Sequence, residues 1–263
     1  MTHAVAFLDV LGFRSLVDTT ASDALGPRFA RVLEIVLEHL NKPVLPDHDL
    51  PRLVPEYSRG SQFCLSYSFS DSIILISHDA SRASCLALLL FALRAMQALI
   101  ASGFPVRAAC TLGDLYVNRD RSVFLGPALT RAYDLEEQQD WVGGVVDDTL
   151  VMAIPELANG ESSDALLQIL FPKYLVPMKN GPVQEHRTIN WRWNMVVKDG
   201  TRALFTEPTE WGAKRKILNA LEYARWVRAQ GLAYPAASNE VPAEVRTFFI
   251  GSAPPPFEHG DAL

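Results

Sequence analysis

The sequence is poor in the features that mark several large classes of protein. Its 263 residues include only three cysteines, Cys64, Cys85 and Cys110, which are far apart and odd in number. Such a set matches neither a zinc-ligand spacing nor a disulfide framework, so we expect a reducing, cytoplasmic environment. Basic residues are also scarce: 24 Lys and Arg stand against 30 Asp and Glu, a formal net charge of -6. This balance disfavours duplex nucleic acid as a partner, because such binding needs a basic face.

Long hydrophobic segments are also lacking. The longest apolar run, residues 85–93, is interrupted by Arg94 and is too short to cross a bilayer. The amino-terminal segment has no basic region and carries an acid at position 9, unlike a signal peptide. We therefore expect a soluble protein that does not bind membranes. Hydrophobic residues at 49% and charged residues at 21% are ordinary for a globular protein, with enough apolar material for a sizeable core.

Hydrophobic patterning predicts alternating strands and helices over residues 1–158. The predicted order is a buried strand (4–10), a helix (24–40), a hairpin (61–69 and 73–76), a long buried helix (80–102), a strand (105–112), a second hairpin through 118–121, a helix from Gly126, a strand (142–146) and a short helix (148–154). A βαββαβ order predicts an α+β, ferredoxin-like fold, an antiparallel sheet with helices on one face. Residues 42–60, with four prolines, are predicted to be an exposed loop.

Residues 159–263 are predicted to form a C-terminal α/β extension that packs on this core. A helix is expected over about 212–230, and the proline-rich tail from about 252 should be flexible. Trp191 and Trp193 have two interpretations: they stack on a base, or they pack the extension against the core.

Two aspartates are the first candidates for chemistry. Asp9 stands near the end of a buried strand, where it either caps the next helix or binds a metal ion. Asp71 lies in a hairpin turn, a common place for aspartate. In a ferredoxin-like sheet the first strand lies beside the hairpin, so the two carboxylates can converge as a two-metal platform for phosphoryl chemistry. The amides of residues 11–13 (Leu11, Gly12, Phe13) would then face the phosphates.

Four segments in the right order resemble class III nucleotidyl cyclases. The fragment AFLDVLGF resembles the first metal-binding motif of that family, and SFSDSIILIS resembles the second. PVRAACTLGDLYV and FLGPALTRAYDLEE are similar to the later strand, glycine turn and helix of the same catalytic domain. The resemblance covers roughly residues 4–150. The compact form with a C-terminal extension looks most like the pyrimidine cyclases of bacterial Pycsar anti-phage systems.

The resemblance implies a cofactor and an assembly. Asp9 and Asp71, helped by the carbonyl of Val10, would hold two Mg²⁺ or Mn²⁺ ions. Two copies would meet head to tail as a homodimer, each completing the other's active site. The product, cyclic CMP or cyclic UMP, would be an alarm signal that a separate effector binds.

The chain departs from the family on its last core helix. Purine-using relatives carry an Asn and, four residues later, an Arg that steadies the transition state. The matching residues here are Thr130 and Asp134, and an ionised aspartate has no proton to donate to a phosphate. Arg131 on the same helix is the candidate replacement, with an ordinary surface arginine as the alternative.

Three further residues are candidates for contact with the substrate. Tyr67 is the position nearest to that of the lysine that reads adenine in adenylyl cyclases. The absence of this lysine favours a base other than adenine; the alternative interpretation of Tyr67 is a core tyrosine. Arg107 lies inside an apolar strand, where it either pairs with a carboxylate or reaches the nucleotide. Arg14 follows the phosphate turn and either contacts the triphosphate or is solvated.

The resulting expectation is a cyclase that converts UTP or CTP to the 3′,5′-cyclic monophosphate and pyrophosphate. One alternative is a non-catalytic cyclase-like module that binds a nucleotide or a partner. The other is a palm-type polymerase or dinucleotide synthase, which shares the sheet and the paired carboxylates.

Overall fold

The computed structural model describes residues 1–40, 64–158, 165–193 and 211–233. The strands in these ranges are β1 (Thr2–Val10), β2 (Cys64–Phe69), β3 (Ser72–Ser77), β4 (Val106–Asp114), β5 (Tyr116–Asn118), β6 (Val123–Leu125), β7 (Gly143–Val146), β8 (Lys173–Val176) and β9 (Gln184–Thr188). The helices are α1 (Phe13–Thr19), α2 (Ser22–Leu40), α3 (Arg82–Ala101), α4 (Pro127–Gln138), α5 (Asp148–Val151), α6 (Pro155–Ala158), α7 (Ala165–Leu170) and α8 (Trp211–Ala229).

Seven strands form one sheet in the order β2-β3-β1-β4-β7-β9-β8. The first four are antiparallel and have the ferredoxin-like order that the sequence predicts. β7 joins β4 in parallel, and β9 and β8 then continue the sheet in antiparallel fashion. β5 and β6 form a separate two-stranded ribbon. Strands after residue 158 therefore extend the core sheet itself.

The two faces of β1 pack against different helices. Because side chains alternate along a strand, Ala4, Ala6 and Leu8 point to one face and Val5 and Phe7 to the other. The first set belongs to the large core with α2 and α3, the two helices of the βαββαβ unit. The second set packs against the inner side of α4. The unit's own helices thus share one face, as predicted, and the later helix α4 covers part of the other.

Helix α3 is buried almost all round. By length and composition it is the one helix, among the residues that the structure describes, that could cross a membrane, but 94% of its apolar window is buried inside the protein. It contacts β1, β3, β4 and α2, which makes it the central core helix. Gly103 follows its last turn with φ +81°, a left-handed conformation that glycine adopts without strain.

Gly143 and Gly144 on β7 are needed for close packing. A Cβ on Gly143 would lie 2.5 Å from the Trp141 ring, and one on Gly144 would lie 2.8 Å from the Met96 sulfur. Real Cβ atoms are not found so close to other heavy atoms, so any side chain here would displace the core. The two glycines therefore let β7 approach α3 and the Trp141 ring.

Aromatic side chains join the C-terminal part to the core. Tyr223 of α8 packs against Trp141, Tyr174 and Trp226, with ring centroids 4.9–5.9 Å apart. Trp191 and Trp193 are buried in the same core, which confirms their interpretation as packing residues.

The predicted strands and helices are confirmed wherever the structure describes them. The short helices α1, α6 and α7 were not predicted, and neither were β8 and β9, which extend the sheet. The predicted loop over residues 42–60 and the predicted flexible tail lie outside the described residues.

Candidate active site

Strand pairing brings the Asp9 and Asp71 segments together. β1 and β3 are antiparallel neighbours, with Asp9 opposite Ser72. The Val10 amide donates to the Asp71 carbonyl oxygen at 3.0 Å, and the Ser72 hydroxyl donates to Asp9 Oδ1 at 3.5 Å. The hairpin turn is thereby held against the end of β1, and both aspartates lie at one end of the sheet.

The Asp9 carboxylate is half-buried, and its acidic neighbours affect it more strongly than its basic neighbour does. Burial raises its pKa to about 6, and the charges of Glu136 and Asp71 raise the pKa in the same direction. The Arg107 charge and the Ser72 hydrogen bond lower it, but by less. A half-buried carboxylate with this surplus of negative charge is an environment that a cation would stabilise.

Glu136 is a third carboxylate at this site, and it was not predicted from the sequence. Arg107 Nε donates to Glu136 Oε1 at 2.5 Å, and both side chains are buried. Burial raises the pKa of Glu136 although Arg107 opposes the shift. A signal was present: Ala128, Ala132 and Glu136 recur every four residues, which places them on one face of a helix.

Arg107 takes the first of its two expected roles. It stands opposite Asp9 in the β1–β4 register, and besides Glu136 it donates through Nη1 to the Gln139 carbonyl at 2.8 Å. A guanidinium in a buried strand needs such a counter-charge, because an unpaired one is costly. In this structure Glu136 and Gln139 accept from Nε and Nη1, which confirms the pairing role, and contact between Arg107 and the substrate stays a prediction.

The donor set suits a hard divalent cation. Carboxylate and carbonyl oxygens are the ligands that Mg²⁺ and Mn²⁺ prefer, and Mg²⁺ often takes only one or two carboxylates together with water and phosphate oxygens. Among the described residues, no group of three or more His, Cys, Asp or Glu forms a complete protein cage for a metal. Asp9 and Asp71, with the Val10 carbonyl, fit the open kind of site that a phosphate ligand completes.

The turn after β1 has two of the three amides expected for phosphate binding. Gly12 adopts φ +74° and precedes α1, whose first hydrogen bond runs from the Leu16 amide to the Gly12 carbonyl at 3.1 Å. The amides of Gly12 and Phe13 precede this first hydrogen bond, so they have no acceptor within the helix itself. The Leu11 amide already donates to the Pro105 carbonyl at 2.8 Å, so its expected contact with phosphate is corrected.

Arg14 is solvated, which is the second of its two predicted interpretations. Its side chain is exposed, and its nearest acidic partner is Asp18, one turn along α1, at 4.0 Å. The structure does not hold this arginine at the aspartate pair.

The three polar candidates on α4 lie on its exposed side. Thr130 Oγ1 donates to the Gly126 carbonyl at 3.4 Å, and Asp134 faces solvent. Arg131 Nη1 lies 4.0 Å from Asp147 Oδ1. Asp147 directly follows β7, which is two strands away from β1 in the sheet. Within one copy of the chain, Arg131 is therefore directed away from Asp9.

Tyr67 lies on the same face of the sheet as Asp9. Phe69, Ser72 and Asp9 form one row across β2, β3 and β1, and Tyr67 stands in the next row on that face. Its ring packs on Phe124 of the ribbon at 4.2 Å between centroids and stays partly exposed. Tyr67 thus combines partial packing with partial exposure on the face of the sheet that carries Asp9.

Comparison with known proteins gives matches only among solved structures. No protein-family model and no curated protein matches the chain. The catalytic core of a rhodopsin-guanylyl cyclase with converted specificity, in complex with ATPαS, is 12% identical, with 72% of this chain and 94% of that chain covered and a TM-score of 0.45. A dimeric guanylyl cyclase domain from the aquatic fungus Blastocladiella emersonii is 11% identical, with 72% and 96% covered and a TM-score of 0.44.

An adenylate cyclase from Trypanosoma brucei, in its monomeric state, is 15% identical, with 72% of this chain and 90% of that chain covered and a TM-score of 0.40. These structural neighbours are adenylyl and guanylyl cyclases. Similarity at this level carries no argument about the function of this chain. Its class, an α+β protein with a large, mostly antiparallel sheet, rests on the strand order described above.

Proposed function

We propose that the chain is a metal-dependent nucleotidyl cyclase that converts UTP or CTP to the 3′,5′-cyclic monophosphate and pyrophosphate. The observation that carries the proposal is the convergence of Asp9 and Asp71 through the β1–β3 pairing, at a site with surplus negative charge. Divalent ions bound there would ease deprotonation of the ribose 3′-hydroxyl and stabilise the charge on the leaving pyrophosphate.

The residues of the chain would act mainly by position. Asp9, Asp71 and the Val10 carbonyl would hold the metal ions, and the amides of Gly12 and Phe13 would orient phosphate oxygens. The 3′-oxygen then forms its bond to the α-phosphorus in line with the bond that breaks to pyrophosphate. Holding the two reacting atoms in this alignment is the largest contribution expected of the protein.

Tyr67 supports a pyrimidine substrate. Its phenol can donate to or accept from the edge of a base, and its ring, seated on Phe124, offers a packing surface. It occupies the region where an adenine-specific enzyme of the resembled family would carry lysine. This substitution supports UTP or CTP over ATP.

A homodimer with composite sites completes the proposal. Several large apolar side chains on the α4 side of the sheet and the outer side of the ribbon are exposed: Phe69, Tyr116, Leu125 and Tyr133. Such a set favours a protein partner, and a second copy would bring its α4, with Arg131, toward the aspartate pair. Leu125→Asp should then shift the molecular mass from dimer to monomer in light scattering and abolish turnover.

The biological role would be anti-phage signalling in the bacterial cytoplasm, with a separate effector that binds the cyclic nucleotide. This part rests on the resemblance to Pycsar cyclases. It predicts that phage resistance conferred by the chain and its effector disappears when Asp71 is replaced by Asn.

The experiment that tests the chemistry uses the purified chain with Mn²⁺ and each of the four ribonucleoside triphosphates in turn. Products are identified by mass and chromatography, with Asp71→Asn as the inactive control. A cyclic mononucleotide from UTP or CTP alone supports the full proposal. Cyclic AMP or cyclic GMP would keep the reaction and overturn the pyrimidine assignment, and a linked dinucleotide would indicate a dinucleotide synthase.

A non-catalytic nucleotide-binding module is the second candidate. The observation that favours it lies on α4, where Thr130 and Asp134 replace the expected Asn and Arg and Arg131 is near Asp147. Nucleotide binding in calorimetry, with no product from any of the four triphosphates, would support this candidate.

A further inference from the structure

The Arg107 side chain has two carboxylates within its reach. It stands directly opposite Asp9 in the β1–β4 register, and such cross-strand neighbours have Cβ atoms about 4.5–5.5 Å apart on one face of the sheet. An arginine side chain is long enough to bridge that gap. Among the residues that the structure describes, however, Arg107 forms its ion pair with Glu136 on α4, and no ion pair joins it to Asp9.

Two acceptors at the end of α4 fix the Arg107 guanidinium. Nε donates to Glu136 Oε1 at 2.5 Å, and Nη1 donates to the Gln139 carbonyl at 2.8 Å. Gln139 is itself held in place, because its side-chain amide donates to the Ala108 carbonyl at 3.0 Å and its Oε1 accepts from the Trp141 indole at 2.7 Å. The side chains of Arg107, Glu136 and Gln139 are all buried. The end of α4 therefore determines where the guanidinium lies.

Stability alone does not account for a buried charged pair at this place. Burial of two charges costs hydration free energy, and apolar residues of similar volume often stabilise a fold equally well or better. The Arg107–Glu136 pair lies beside the half-buried carboxylate of Asp9, and the charges of both partners act on that carboxylate. A role toward Asp9 gives the pair a reason that apolar residues could not supply.

The partner that Arg107 takes decides whether Asp9 can accept a cation. A guanidinium in direct contact with Asp9 would neutralise the carboxylate and occupy the oxygens that a divalent ion needs. The contact with Glu136 prevents this, because it draws the guanidinium toward α4. Asp9 and Asp71 then keep their negative charge for a bound ion.

We propose that Glu136 is a positioning residue: by holding Arg107, it keeps the guanidinium off Asp9 and leaves that carboxylate open to a divalent cation. The inference rests on the proposed function, since it takes Asp9 as part of the metal site. It adds that a buried ion pair outside the metal ligands controls whether the site can bind metal. Without Glu136, Asp9 is the carboxylate that Arg107 meets across the strand pair.

The test measures binding of Mn²⁺ alone to the full chain, from the electron paramagnetic resonance signal of the free ion. Glu136→Gln is expected to weaken Mn²⁺ binding about tenfold or more, the size of the coupling between close charges. Glu137→Gln is the matched control, because it removes an exposed carboxylate from the same helix, and it should leave the affinity unchanged. The double variant Arg107→Gln/Glu136→Gln should bind Mn²⁺ nearly as well as the unmodified chain, because no guanidinium remains to occupy Asp9.

A crystal structure of metal-free Glu136→Gln separates positioning from an effect of charge alone. The Arg107 guanidinium should then lie within about 4 Å of the Asp9 carboxylate, the distance of an ion pair. A guanidinium that stays on the Gln139 carbonyl, away from Asp9, would overturn the inference. The double variant leaves no buried charge unpaired, so it tests the inference even where Glu136→Gln does not fold. Mn²⁺ binding by the double variant as weak as that of Asp9→Asn would also overturn it.

Failure of the proposed function is distinguishable from failure of the inference. If the chain makes no cyclic product, but Glu136→Gln loses Mn²⁺ binding and the double variant regains it, the inference stands. If the chain makes the product and Glu136→Gln binds Mn²⁺ as the unmodified chain does, only the inference fails. Mn²⁺ binding that Asp9→Asn leaves unchanged would overturn both the inference and the metal site on which it rests.

Discussion

The two faces of β1 differ more than their shared backbone suggests. On the face toward α2 and α3, Ala4, Ala6 and Leu8 are fully buried in one apolar core. The opposite face begins with Val5 and Phe7 under α4 but ends in half-buried Asp9, with charged side chains around it. The first face stabilises the fold by apolar burial. The second face is less completely buried at its end, and its carboxylate stays accessible.

The difference shows how a strand can supply both stability and chemistry. Alternation lets one apolar face anchor β1, so a carboxylate on the other face can be held at a fixed place in spite of its unfavourable surroundings. Arg107 stands opposite this carboxylate on β4 and lowers the cost of its charge, but the charges of Glu136 and Asp71 raise that cost by more. Substitutions on the two faces should therefore separate activity from stability.

The largest effect should follow from neutralising the aspartate pair. Asp9→Asn or Asp71→Asn removes a metal ligand and should lower turnover by about a thousandfold or more, since metal-ion catalysis contributes several kcal/mol. Product formation is the measurement, and Asp120→Asn, at the tip of the other hairpin, is the matched control. Turnover within tenfold of the unmodified chain would exclude the pair as the metal site.

Glu136→Gln should be the most destabilising change on the charged face. It leaves the buried Arg107 guanidinium without its counter-charge, at a cost of about 3–5 kcal/mol in the free energy of unfolding. Urea unfolding is the measurement, and the exposed neighbour Glu137, changed to Gln, should have almost no effect. A cost below about 1 kcal/mol would show that the pair contributes little to the fold.

Leu8→Ala, on the face of β1 toward α2 and α3, should lower stability by as much as Glu136→Gln or by less. Removing this fully buried side chain should cost about 2–5 kcal/mol, from lost burial and the cavity that remains. Turnover per folded molecule should persist, because Leu8 points away from the aspartates. A loss of turnover as large as that of Asp71→Asn, in protein shown to be folded, would break the separation of the two faces.

The smallest effect is a pH-dependent gain in stability. The raised pKa of Asp9, about 6 against an ordinary 3.8, means that its ionised form destabilises the fold above pH 6, and this cost disappears as the pH falls toward 4. In metal-free buffer Asp9→Asn should be more stable than the unmodified chain by about 1 kcal/mol at pH 7.5, after allowance for solvent screening. Unfolding curves from pH 4 to 8 measure this; a constant difference across the range would contradict it.

Much of the site could be predicted from local patterns. Asp9 at the end of an apolar run and Asp71 in a hairpin turn are visible in the sequence, and the ferredoxin-like strand order implies that they meet. Glu136 escaped notice because its helix looks polar overall, and only its four-residue spacing from two alanines marks it as buried. The Leu11 amide could not be assigned, since its acceptor, the Pro105 carbonyl, is distant in sequence.

Hydrophobic periodicity was enough to locate β1, the hairpin, α3 and β4, because burial of alternate or helically spaced side chains is a local requirement that each segment meets by its own composition. The partner of Arg107 and the place of β8 and β9 in the sheet were decided only by the tertiary structure. Each depends on which charges and strand edges, distant in sequence, become neighbours in space. The strength of Coulomb interactions and cross-strand hydrogen bonds depends on distance in space, and spacing along the chain does not determine that distance.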